Sequence, residues 1–272
     1  MGSTSLPHKL VAIVYLHALR TWRYKYGFIN AALTMFLWVA IYVLGVIIFM
    51  PNEKLGEMMP HIFWGIVAWN IMTFTVLYTA GWTIWFVVNV GLVEELMLHN
   101  TSIALFLSGR LITVAGQTAI MLPLLYMLVR HIAGQKPSLV KHPLLLVYGL
   151  ATMAIMALSY GLLLAALGLR LNIPGTLLDV TDFLLFLIGG IAAPVAMLPE
   201  PIRWIAIATP YSHAVEIIRY GATGLEPYLG LRTELILSAL IAAAMFAAAY
   251  AVHRWVEESY IRRHGVKGVG RM

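Results

Sequence analysis

In a chain of 272 residues, 61% hydrophobic and only 11% charged, the charged surface that water requires is missing, since a soluble domain carries about a quarter charged residues. The bilayer, where apolar side chains face outward without cost, is the solvent this composition fits. The net charge of +6 comes from Lys and Arg at the ends of apolar runs and not from one basic stripe, which excludes nucleic acid as a partner. The lack of cysteine excludes disulfides, thiolate nucleophiles and thiolate metal sites.

In chain order, the first 27 residues read as an interfacial helix. Leu10, Ile13, Val14, Leu16 and Leu19 recur near helical spacing beside His8, Lys9, His17, Arg20, Arg23 and Lys25, and Trp22, Tyr24 and Tyr26 sit where headgroups lie. No short apolar stretch precedes a small-residue cleavage site, so no cleaved signal peptide is expected. Six apolar runs follow, near 28–50, 61–88, 109–130, 143–168, 179–198 and 231–253. Each is close to the roughly 20 residues a membrane-crossing helix needs. The expectation is an all-α polytopic membrane protein with six transmembrane helices, one domain over 1–272, both termini on the same face and a basic tail over 254–272.

Lys and Arg concentrate on cytoplasmic flanks. With the N-terminus inside, eleven of the eighteen fall on inner segments, among them Arg110, Arg170, Arg254, Arg262 and Arg263. Both termini are therefore expected in the cytoplasm and the chain in the cell membrane.

Three segments do not read as ordinary spans, the first being the amphipathic start. The second, Gly91 to Gly109, carries the acidic pair Glu94 and Glu95 followed by Leu96, Met97 and Leu98. A short helix there exposes carboxylates and an apolar edge, suited to docking a soluble partner. In the third, Gly189, Gly190 and Pro194 interrupt the fifth run, followed by Pro199, Pro201 and Pro210. Such breakers are tolerated in a membrane only where the freed backbone groups face protein or water, so this span should end early. The stretch Ile202 to Gly224 holds two apolar pieces, each too short to cross, and reads as a re-entrant helical hairpin on the outer side. Within it Glu216 and Arg219 lie three residues apart on one helix face, spaced to pair. The outer loop from His131 to His142 is long and basic, which suits contact with an anionic substrate or lipid.

In this order the segments resemble the type-2 ABC exporter permeases. The likeness rests on Glu94 with Glu95, Gly189 with Gly190, Pro194, Leu198 with Pro199, Thr209 with Pro210 and Glu216 with Arg219, closed by Gly221 and Gly224. It spans nearly the whole chain. One departure is His99, Asn100, Thr101 and Ser102 where many members place a Pro after the acidic pair.

The resemblance implies a permease subunit moving a drug, lipid, glycolipid or glycan out of the cytoplasm, as a homodimer or a heterodimer with a related chain. Glu94, Glu95, Leu96, Leu98 and Ser102 are the expected ATPase-coupling residues. The chain has no Gly-x-x-x-x-Gly-Lys-Ser/Thr loop, so ATP and Mg would bind to a partner ATP-binding subunit, and the chain is no enzyme by itself. The expected substrate path lies between two copies, lined by the first, second and fifth spans, with Trp38, Trp69, Tyr78, Trp82 and Trp85 as candidates.

Two other classes compete. A secondary transporter or channel-like protein also suits six spans with one broken, although no internal repeat is visible. An intramembrane enzyme is more distant, since neither His-Glu-x-x-His nor Gly-x-Ser-Gly occurs. Haem or quinone binding needs axial histidines inside the spans, and His61, His131, His142 and His253 fall at span ends.

Overall fold

A computed structural model describes residues 6–83, 92–133, 140–171 and 175–261, and among these it is helical with no strand. Eleven α-helices follow in order: α1 (Leu6–Arg23), α2 (Lys25–Phe49), α3 (Asn52–Val76), α4 (Leu92–Leu98), α5 (Ile103–Ser108), α6 (Leu111–Ala133), α7 (Pro143–Leu171), α8 (Gly175–Ile188), α9 (Glu200–Ala208), α10 (Pro210–Thr223) and α11 (Leu231–Val256). A π-helical turn, Leu77–Gly81, extends α3, and another, Glu257–Ile261, extends α11.

Five stretches are long and apolar enough to cross a membrane: Lys25–Phe49, Glu53–Gly81, Ile103–His131, Pro143–Arg170 and Leu231–Ser259. The run expected over 179–198 is different. Its helix α8 has 14 residues and spans about 21 Å, short of the roughly 30 Å hydrocarbon layer. The helix ends because Gly190 takes a left-handed φ of 73°, which any side chain would strain, and because Pro194 then leads into a single 3-10 turn over Val195–Met197. The second span starts about nine residues earlier than its apolar run. Pro51 pre-sets the backbone ahead of Asn52 and Glu53 lies in the first turn, where a carboxylate complements the helix dipole.

The buried centre is made by α3, α7 and α10. α7 packs on α10, α11 and α3, and α10 is buried on nearly every residue from Tyr211 to Ala222. The most apolar window of the α3 span is 89% buried, against 17% for those of α2 and α11, so these two helices present apolar sides outward. The α7–α10 crossing is tight because Gly149 and Gly221 are at the contact. A Cβ on Gly221 would overlap the backbone of Leu146, and one on Gly149 the side chain and amide of Ile218.

The two ends of the bundle differ. At one, α1, the 92–110 segment and the end of α11 meet. At the other lie the break after α8, α9, and the starts of α3, α7 and α11. At this second end α10 finishes on Gly224, whose φ of 75° and amide bond to the Tyr220 carbonyl at 2.8 Å close the helix.

Candidate functional site

At the end holding the acidic pair, short-range capping builds the surface. α4 stops in a Schellman motif: Asn100 takes φ 52°, its amide bonds the Met97 carbonyl at 3.0 Å, and the Thr101 amide bonds that of Leu96 at 2.9 Å. Asparagine is among the few side-chain-bearing residues that accept this backbone readily. Ser102 then opens α5, its hydroxyl accepting from the Leu105 amide at 3.1 Å. The outcome is two short helices at an angle, with Glu94, Glu95 and Leu98 exposed while Val93 is buried and Leu96 packs inward.

Other segments brace this surface. Lys9 of α1 donates to the Asn100 carbonyl at 2.8 Å, and His17 to that of Phe106 at 2.9 Å. Gly109 lies directly under Ile13, where a Cβ would overlap. From the far end of the chain Glu257 accepts from the Ile103 amide at 3.4 Å. The helix α1, the acidic segment and the end of α11 are therefore one braced unit.

Beneath α1, arginines and aromatics interleave. The guanidinium carbons of Arg20 and Arg110 lie 4.1 and 3.9 Å from the Trp82 ring centroid, and that of Arg110 also lies over Tyr78 at 5.5 Å. Cation–π contacts of this kind strengthen where water is excluded, and Arg110 is buried. Tyr78 and Trp82 are thus in the joint between α1 and the bundle, and Trp85 lies outside the described residues.

His17 makes this joint sensitive to pH. Burial, with the Arg110 and Arg20 charges adding to it, holds its pKa down at about 4 against an ordinary 6.5. The imidazole is therefore neutral when docked and charges only on release. As pH falls from about 6.5 towards 4, undocking gains up to about 3 kcal/mol relative to neutral pH. Proteolysis within α1 of the purified protein should accelerate over that window, and His17→Gln, which keeps a donor without titrating, should flatten the response. An acid-accelerated response that persists in His17→Gln would locate the sensitivity elsewhere.

At the opposite end, the break after α8 is held by α10. Arg219, 1% exposed, donates from Nη1 to the Gly190 carbonyl and from Nη2 to that of Ile191, both at 2.6 Å, and from Nε to that of His61 at 3.4 Å. Its Nη1 is also 3.2 Å from Glu216 Oε1. Glu216 accepts the Val195 amide at 3.2 Å and, through Oε2, the Tyr228 amide at 3.4 Å. Of the backbone groups freed where Gly189, Gly190 and Pro194 stop the helix, the Gly190 and Ile191 carbonyls and the Val195 amide are thus satisfied by one ion pair, while Tyr42 donates to the Ala192 carbonyl at 2.9 Å. Gly65 of α3 must be glycine here, because a Cβ would meet the Ile191 carbonyl and Arg219. Pro199 caps α9 and Pro210 is in the first turn of α10. A second buried pair, His213 Nδ1 to Glu234 Oε2 at 2.6 Å, ties α10 to α11.

A cavity of about 540 Å³ opens between α2, α3 and α8, with Trp38, Trp69, Phe74 and Phe183 in its walls. Of the five aromatic candidates, it takes Trp38 and Trp69. Its polar residues are Thr34, Thr73, Asp179 and Asp182, and the two aspartates are site residues that the reading of the apolar runs passed over. The signal was available, since an ionisable residue inside an apolar run marks a functional position by default.

An all-helical bundle with five helices long and apolar enough to cross a membrane defines the class as a multi-pass helical membrane protein. The family model for ABC-2 type transporters matches residues 8–222, from α1 to the end of α10, and the chain belongs to that family. It is a multi-pass permease of an ABC transporter, a transport subunit. No curated protein matches it.

Proposed function

We propose that the chain is the membrane-spanning subunit of an ATP-driven exporter, working as two permeases with a separate ATPase that binds ATP and Mg. In this reading α1, α4 and α5 face the cytoplasm with both termini, α8 serves as a short sixth crossing, and α9 with α10 forms a re-entrant hairpin on the outer side. Glu94, Glu95 and Leu98 are the coupling contact, Leu96 packs the helix down, and Ser102 holds the angle between α4 and α5. The cargo is taken up from the inner leaflet or cytoplasm, as a drug, lipid, glycolipid or glycan.

The observation that carries this reading is the brace: the turn and helix α5 that directly follow the exposed acidic helix are tied, through Asn100, Phe106 and Ile103, to Lys9 and His17 of α1 and to Glu257 beyond α11. A partner that grips α4 differently in two nucleotide states would shift α1 and α11 together, and only such a difference in grip can do work. The tagged chain should copurify with an ATP-binding subunit, and transport into inverted vesicles should stop with vanadate or with an ATPase-dead partner. Transport that continues under both treatments would make the chain a secondary transporter instead.

A further inference from the structure

The cavity between α2, α3 and α8 has an apolar, aromatic wall interrupted by carboxylates from α8 alone. Asp182 is oriented by two neighbours that line the same cavity: Trp69 Nε1 donates to Oδ2 at 3.2 Å, and the Thr73 hydroxyl lies 3.0 and 2.8 Å from Oδ1 and Oδ2. Asp179, one turn earlier on the same face, lines it too. Among the described residues neither aspartate forms a salt bridge, and the wall carries no Lys, Arg or His.

Two structural explanations fall short. The α8 dipole favours acids only in the first turn, and Asp182 is in the second. A hydrogen-bond acceptor for Trp69 and Thr73 needs no charge, because an Asn oxygen accepts the same bonds without the cost of a carboxylate at membrane depth. What Asp offers beyond Asn is negative charge, and its value is realised when a cation enters. The volume is that of a drug-sized site, and the aromatic rings add apolar contact together with faces that attract cations.

We propose that this cavity binds an organic cation with a bulky apolar body, its charge against Asp182 and Asp179 and its body against Trp38, Trp69, Phe74 and Phe183. The proposal rests on the exporter reading in taking this cavity as the cargo site, and it narrows the cargo to amphiphilic cations. A neutral glycan can stack on the aromatic wall but leaves the charge of the two carboxylates unused, and an anionic lipid would meet like charge.

The test compares tetraphenylphosphonium with tetraphenylborate, two ions of nearly the same size and opposite charge, by equilibrium binding to the full chain in nanodiscs after subtraction of empty discs. The cation should bind at least about ten-fold more tightly than the anion, corresponding to about 1.4 kcal/mol. Asp182→Asn should remove most of that preference, and Asp179→Asn part of it. Equal or tighter binding of the borate, or unchanged phosphonium binding in Asp182→Asn, overturns the proposal. Should Asp182→Asn fail to fold, the comparison of the two probes on the unaltered chain decides alone. Absent charge selectivity beside intact ATP-dependent transport defeats the cation assignment only. Selective binding beside transport that survives an ATPase-dead partner defeats the exporter reading and leaves the cation site standing.

Discussion

Replacing Arg219 by Ala should destabilise the chain more than any other single change at the break after α8. The substitution deletes the donors that satisfy the Gly190 and Ile191 carbonyls and leaves Glu216 buried without its cation. Breaking a buried pair from one side costs about 3–5 kcal/mol, and each lost bond to a buried carbonyl adds the burial of an unsatisfied acceptor. In detergent the thermal midpoint should fall by about 10 °C for a chain of this size. Arg219→Lys should recover only part of it, because an ammonium lacks the planar fork that reaches two carbonyls and a carboxylate together. A midpoint for Arg219→Ala within about 2 °C of the unaltered chain, a change of under about 1 kcal/mol, would show that the break holds by other means.

The second large effect is expected at the opposite end. Exchanging Glu94 and Glu95 for Lys reverses two exposed charges on a helix whose packing residues, Val93 and Leu96, are untouched. Folding should therefore be preserved, with a midpoint shifted by no more than surface substitutions allow, about 0.5 kcal/mol each. ATP-dependent transport should fall by at least ten-fold, either because the ATPase dissociates or because it hydrolyses ATP without moving the permease. Copurification separates the two outcomes. Normal assembly together with normal transport would remove α4 from the coupling contact.

Much of this architecture can be read from the residues, and the exceptions have physical causes. Apolar runs near 20 residues mark the long spans because hydrocarbon thickness sets their length, yet they miss where a helix extends into polar surroundings, as α3 does from Asn52. The spacing of Glu216 and Arg219 announces a pair. Their other partners, the carbonyls of His61, Gly190 and Ile191 and the amides of Val195 and Tyr228, are backbone groups that no residue type marks. The burial of α10 was also hidden. Its polar residues, His213, Glu216 and Arg219, suit a surface helix, and only the packing of α3, α7 and α11 around it provides partners. The aromatics divided for a related reason. At about 3.6 residues per turn Tyr78, nine residues on from Trp69, is on the opposite face of the helix, so Trp69 faces the cavity while Tyr78 and Trp82 meet Arg110. Asp182 is plain in the sequence, but its partners lie more than a hundred residues earlier in the chain.

The direction of these long-range pairings bears on how the protein is made. Asp182 meets Trp69 and Thr73, Arg219 meets the backbone of His61, Gly190 and Ile191, Glu234 meets His213 and Glu257 meets Ile103. In every case the partner is upstream. A ribosome feeding this chain into a bilayer therefore delivers each of these charged groups to a bundle whose receiving atoms have already emerged. These four groups can be compensated on arrival, whereas His213 meets Glu234, and Glu216 meets Arg219 and the Tyr228 amide, only once later residues have emerged.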